Sequence, residues 1–216
     1  MQILYSNKTI VTVKNIKFLG PTLDTTLNWK HHISEIIPRL NKSCYAMKSI
    51  KPFMSPNVLR STYFSYAHSI MSCGLIFWGN STDSNDIFKI QNRLIRISTN
   101  SNKNAPCRKV FKSLNILPLQ SLYIYSILLF ISKNKDQFSL NSHIHAINTR
   151  HKNNLYVSAA NLTLYQKGVY YSGIKVFTHL PITIKNLSSD RNTFQIALQK
   201  FLLNNSFYSL EEYFNT

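Results

Sequence analysis

The chain opens with a strand-like alternation of apolar and polar positions. Val11 and Val13 alternate with Thr12 and Lys14, then Ile16 and Phe18 with Lys17. A period of two sends successive side chains to opposite faces of a sheet. The apolar parity switches at Asn15, which predicts a bulge. Gly20 and Pro21 come next: glycine reaches positive φ and proline fixes its own φ, so the chain reverses there. A β-hairpin is expected within residues 1–27, leading into a helix. A domain that opens in mid-sheet calls for further strands, so an upstream part is expected as well.

From residue 28 the apolar period becomes helical. Asn28 is placed to cap a helix over 28–51, with Trp29, Ile33, Ile36, Ile37 and Leu40 on one face and Pro38 expected to kink or split it. Ser55-Pro56 is a cap followed by a first-turn proline. It predicts a nearly uncharged, central helix over 56–78 that carries Leu59, Tyr63, Tyr66, Ile70, Leu75 and Phe77. Residues 83–99 form the clearest amphipathic pattern, with Ile87, Ile90, Leu94 and Ile97 on one stripe and Lys89, Arg93 and Arg96 on another. A polar loop over 100–105, a short basic helix over 107–114 and a strongly apolar helix over 119–133 follow. Residues 134–161 lack periodicity and read as a connector, with short strands expected in 155–164. Asp190 caps a helix running to Leu203, and Ser209 with Glu212 forms a capping box for a last short helix. The expected fold is mainly α: an N-terminal β-hairpin, then a helical bundle, with a less regular C-terminal part.

Charge changes this picture more than composition does. There are 25 Lys and Arg against 8 Asp and Glu, a formal charge of +17 over 216 residues. Such an excess favours polyanionic partners, nucleic acid first and an anionic membrane surface second. A solvated helix face accounts for Lys89, Arg93 and Arg96 equally well. What favours nucleic acid is the neighbourhood, since nine Lys or Arg and no acid lie between Ile87 and Lys135. The apolar run 122–131 is too short to span a bilayer core of ~30 Å, so no membrane is expected. No signal peptide is visible and no compact Lys/Arg cluster reads as a nuclear address, so the expected location is intracellular, cytoplasmic or nuclear. Cys44, Cys73 and Cys107 form no C-x-x-C pair and read as free thiols.

The stretch 16–33 reads IKFLGPTLDTTLNWKHHI. Its pattern FLG-x-x-LD-x-x-L-x-W-x-x-HI stands as Phe18-Leu19-Gly20, Leu23-Asp24, Leu27, Trp29 and His32-Ile33. It resembles the end of the polymerase core in reverse transcriptases of non-LTR (LINE-type) retrotransposons, jockey-like elements in particular. Pro21 departs from the family, which usually has a β-branched or aliphatic residue there, and proline interrupts strand pairing. Phe77-Trp78-Gly79-Asn80, Ile90-Gln91-Asn92-Arg93 with Arg96, Cys107-Arg108 with Leu114, Asn148-Thr149-Arg150 and Leu180-Pro181 recur in this order in the family. The family often has Tyr where Ile147 stands here.

The resemblance implies an end-of-palm hairpin in 1–27, a thumb-like helical domain in 28–134 and the family's C-terminal segment, with loop and two or three helices, in 135–216. It implies primer positioning by the turn at Lys17, Phe18, Leu19 and Gly20. It also implies a DNA or RNA primer–template duplex as partner, beside the upstream polymerase core. Lys89, Arg93, Arg96, Arg108, Lys109 and Lys112 are the expected phosphate contacts. The complete family uses Mg, held by an Asp-Asp pair upstream. None of the eight acids here forms such a pair, so no catalytic residue, metal ligand or cofactor is assigned to this chain. His31, His32, His143, His145 and His151 lack nearby acids or cysteines in a ligand spacing and read as solvated or structural. Two rival readings stay open: a helical binding module of a domesticated element, and a non-functional remnant reading frame. The 23 asparagines of AT-rich coding suit the second.

Overall fold

The computed structural model describes residues 3–5, 8–10, 13–99, 105–145, 152 and 154–216, with side chains from Val13 onward. The bulge expected at Asn15 rests on Val11 and Thr12, which lie outside the described residues, as do most of the 100–105 loop, Asn148-Thr149-Arg150 and His151. The fold is mainly α, with antiparallel hairpins at the N-terminal end.

Two hairpins stand where one was expected. Strands β1 (Ile3–Tyr5) and β2 (Lys8–Ile10) pair as Ile3↔Ile10, and β3 (Asn15–Lys17) and β4 (Thr22–Asp24) pair as Asn15↔Asp24. Pro21 sits in the second turn rather than in a ladder. Its carbonyl accepts the Phe18 N–H at 2.8 Å, so its missing N–H costs no strand bond. Gly20 takes φ 108° there.

Helix α1 (Lys30–Ile50) runs through Pro38 without splitting. Pro38 and Ser34, whose carbonyl loses its partner, are both exposed, so water can satisfy that acceptor. The opposite face, with Ile33, Ile36, Leu40, Cys44 and Met47, is buried and holds the helix together across the missing bond. The N-cap position falls on Trp29, at φ 67°, rather than on Asn28, whose side chain from one residue earlier accepts the Lys30 N–H at 2.9 Å.

The single central helix expected over 56–78 is instead built of pieces. It comprises α2 (Pro56–Thr62), a π-helical turn over Tyr63–His68, α3 (Ser69–Ser72) and α4 (Leu75–Trp78). The wide turn shifts the register, so Tyr63 and Ala67 face the core and Tyr66 faces water. Gly74, at φ 62°, breaks the helix before α4 and leaves Phe77 half exposed. The break receives the hairpin. A Cβ on Gly74 would lie 2.5 Å from Pro21 Cγ, and one on Gly20 would lie 2.7 Å from Cys73 Sγ.

Helices α5 (Ser84–Thr99), α6 (Arg108–Ser113) and α7 (Leu119–Lys133) lie where the periodicity predicted them. α5 packs along α1. Its fully buried Gln91 ties three segments together: Nε2 donates to Tyr63 Oη and to Leu117 O, each at 2.9 Å, and Oε1 accepts the Leu119 N–H at 2.8 Å. Beyond α7 come α8 (Asn141–Ile144), α9 (Thr163–Lys167), α10 (Val169–His179), α11 (Ile182–Lys185), α12 (Arg191–Asn205) and α13 (Leu210–Phe214). In place of strands in 155–164 there is one bridge, Leu140 with Leu155, and then α9. Asp190 caps α12 by accepting the Asn192 N–H at 3.1 Å. Ser209 Oγ accepts the Glu212 N–H at 3.1 Å, while Glu212 reaches back one residue further than a regular capping box, to the Tyr208 N–H at 2.9 Å. α10 and α12 both pack on α7, and one buried cluster runs from Ile33 through Ile127 to Tyr213, crossing residue 134.

Candidate nucleic-acid interface

The outer face of α5 is built by its period. With Ile87, Ile90, Leu94 and Ile95 turned inward, Lys89 and Arg93, four residues apart, share the outward side. Lys89 Nζ lies 2.8 Å from Asp86 Oδ1, an exposed pair that contributes little to stability and that a phosphate can displace. Arg93 Nη1 donates to the neutral Asn41 Oδ1 of α1 at 3.4 Å. That contact extends the face across two helices. Tyr45 and Lys48, at i+4 and i+7 from Asn41, lie on the same side of α1, and Tyr45 is 76% exposed. Sequence reasoning passed over both residues. Their spacing from Asn41 carries the signal, but only the α1–α5 packing shows that Asn41 meets Arg93.

Other expected phosphate contacts are taken up inside the molecule. Arg96, half-buried, donates from Nε and Nη2 to Ala105 O at 3.2 and 3.1 Å. Arg108 Nη2 reaches both Glu212 oxygens, at 2.9 and 3.0 Å, and its guanidinium lies 4.5 Å from the Tyr208 ring centroid. Lys109 and Lys112 on α6 are exposed, and Lys112 borders a hollow of about 290 Å³ beside Lys200 of α12. The structure therefore brings Lys89 and Arg93 together on one open face and turns Arg96 and Arg108 toward internal partners.

The hairpin residues divide in the same way. Phe18 and Leu19 stand out at the turn, Leu19 at 86% exposed with φ 48°. Lys17 edges a hollow of about 530 Å³ shared with His31, Glu35 and Arg39. The rest of the motif is structural. Burial pulls the Asp24 carboxyl up, but hydrogen bonds from Thr26, Asn28 and Leu27 outweigh it and hold the group below its ordinary value. Its Oδ1 accepts from the Thr26 and Asn28 N–H groups at 2.9 and 3.3 Å. His32 is buried against Trp78, and its Nδ1 accepts the Thr22 N–H at 3.2 Å. Burial holds its pKa below the usual imidazole range, against a partial upward pull from Glu35. Thr22 Oγ1 donates to Glu35 Oε2 at 2.6 Å, and Trp29 stacks on Phe77. These contacts bind β4, α1 and α4 into one corner.

Among the described residues no group of three or more His, Cys, Asp or Glu side chains is placed to hold a metal ion. His143 and His145 are exposed. Cys44 and Cys107 are buried free thiols and Cys73 is an exposed one. Among the described residues no helix is long and apolar enough to cross a membrane. No family model, curated protein or solved structure matches the chain.

Proposed function

We propose that the chain binds the sugar–phosphate backbone of an RNA or DNA primer–template duplex, as the thumb and tail of a non-LTR retrotransposon reverse transcriptase whose polymerase centre lies upstream. The observation that carries this reading is the α1–α5 face. There Lys89 and Arg93 stand exposed on α5, and Asn41, Tyr45 and Lys48 line the adjoining side of α1, in a chain with 17 more basic than acidic side chains. Cations of this kind contact phosphates without reading bases, so binding is sequence-tolerant and salt-sensitive. The hairpin motif supports the family assignment through the residues it shares with that family. Ile16, Phe18 and Leu19, apolar and more than half exposed, suit the surface of an upstream polymerase core.

Fluorescence anisotropy with labelled RNA–DNA hybrids of unrelated sequence tests the proposal. Similar affinities are expected for all hybrids, falling steeply with salt, and no dNTP incorporation by this chain alone. Affinity that ignores salt refutes the electrostatic reading, and incorporation refutes the claim that the catalytic centre lies elsewhere.

A further inference from the structure

A hollow of about 850 Å³ opens below the C-terminal end of α7, between the 3₁₀ turn Lys135–Gln137, the Leu140–Leu155 bridge and the corner where α10 meets α11. Two lysines come to its wall from segments fifty residues apart. Lys135 Nζ donates to Ser188 Oγ and lies 5.6 Å from the Phe177 ring centroid. Lys185 Nζ donates to Thr178 O at 2.5 Å. Ser188 Oγ in turn donates to Lys185 O, which keeps the two lysine segments side by side. Asp136 and His143 also border the hollow, yet neither lysine forms an ion pair with a described carboxylate.

Both lysines are partly withdrawn from water, and burial alone lowers the pKa of each below the usual ammonium value. Their partners are uncharged oxygens and a ring face, which do not offset the lost hydration of two like charges. An anion held in the hollow that both lysines line would do so. The wall is mixed: apolar Phe138, Leu140, Leu155 and Ile182 stand beside polar Gln137, Ser139, Thr178 and Asn186, and the volume falls in the range of small-molecule sites, roughly 300–1,000 Å³.

We propose that this hollow binds a small organic phosphate, its phosphoryl group against Lys135 and Lys185 and its apolar or aromatic body along Phe138 and Leu155. The site shares no residue with the α1–α5 face and stands whether or not that face binds a duplex. A free mononucleotide and the 5′-terminal phosphate of a strand offer the same chemistry.

Calorimetric titration of the full chain with AMP, at about 0.15 M salt to screen the outer surface, tests the site. Saturable one-to-one binding is expected, with adenosine about tenfold weaker or worse. Lys135→Gln with Lys185→Gln lowers AMP affinity at least about tenfold, whereas Lys135→Arg with Lys185→Arg and Lys89→Gln with Arg93→Gln keep it. Should the double glutamine variant fail to fold, Lys185→Gln alone serves, because its ammonium holds just one carbonyl. Absence of saturable AMP binding, equal affinity for adenosine, or unchanged AMP affinity in Lys185→Gln overturns the proposal. Oligonucleotides then identify the source within a confirmed site. Displacement of AMP by a 5′-phosphorylated strand but not by its unphosphorylated twin means a strand end, and displacement by neither means a free nucleotide.

Discussion

The outer face of α5 and the basic helix α6, which meets α13, carry a similar signal in sequence, several basic side chains on one short helix. They end differently. On α5, Lys89 and Arg93 meet an exposed aspartate and a neutral asparagine, and both stay open to solvent. At the corner, Arg108 is gripped by Glu212 from 104 residues away and covered by Tyr208. Arg96 shows that the difference is not between helices, because it lies on α5 and still turns in to hold Ala105 O. What decides a basic residue's role is whether a remote segment supplies an acceptor within reach. Arginine is claimed more readily because its fork donates in two directions at once.

The largest break in this comparison comes from the inward side of α5. Gln91→Leu leaves the Leu119 N–H, Leu117 O and Tyr63 Oη without their buried partner, and a loss of about 3–5 kcal/mol is expected in urea denaturation. Duplex affinity per folded molecule should barely change. Arg108→Ala should cost about 1 kcal/mol, since it removes a forked but half-exposed ion pair and a cation–π contact. If Arg108 instead serves the duplex, affinity will fall while the melting midpoint holds.

Two imidazoles withdrawn from water predict a dependence on pH, His32 in the corner built by the hairpin motif and His68 in the π-helical turn against Tyr63 and Phe64. His32 and His68 both have pKa values held below the ordinary 6.5 by burial, in His32 against a partial pull from Glu35. The unfolded chain therefore binds protons that the folded chain refuses. Stability is complete above about pH 6.5 and declines as pH falls toward the folded values. The urea midpoint should be lower at about pH 5.5 than at about pH 7.5, and His68→Phe should flatten that difference. The smallest effect on stability belongs to Lys89→Gln with Arg93→Gln, below about 0.5 kcal/mol, because neither side chain holds a buried partner. Their effect should appear in binding instead.

Much of the helical fold was legible because its signals are local. The stripe Ile87, Ile90 and Leu94, the apolar run of α7 and the caps at Asp190 and Ser209 depend on residues within a few positions of each other. Several of the failures involve a distant partner or a register change. Pro38 did not break α1 because burial of the opposite face outweighs one lost hydrogen bond. The wide turn at Tyr63–His68 and the break at Gly74 follow from docking Pro21 and from packing Tyr63 onto Gln91, which no window of eighteen residues contains. The candidate face was half legible. Lys89 and Arg93 came from spacing, whereas Tyr45 and Lys48 needed the α1–α5 contact, and the removal of Arg96 and Arg108 needed Ala105 and Glu212 in place. Lys135 and Lys185 gave no sequence signal, because fifty residues separate two segments that share one wall.

The most direct measurement compares the salt dependence of hybrid-duplex binding for the native chain and for Lys89→Gln with Arg93→Gln. If these two side chains sit on phosphates, the plot of log affinity against log salt stays linear, and its slope shrinks by about two phosphate contacts' worth, roughly 0.9 each on B-form DNA and similar on a hybrid. Superimposable lines for the two proteins would contradict the account and move the contact surface off the outer face of α5.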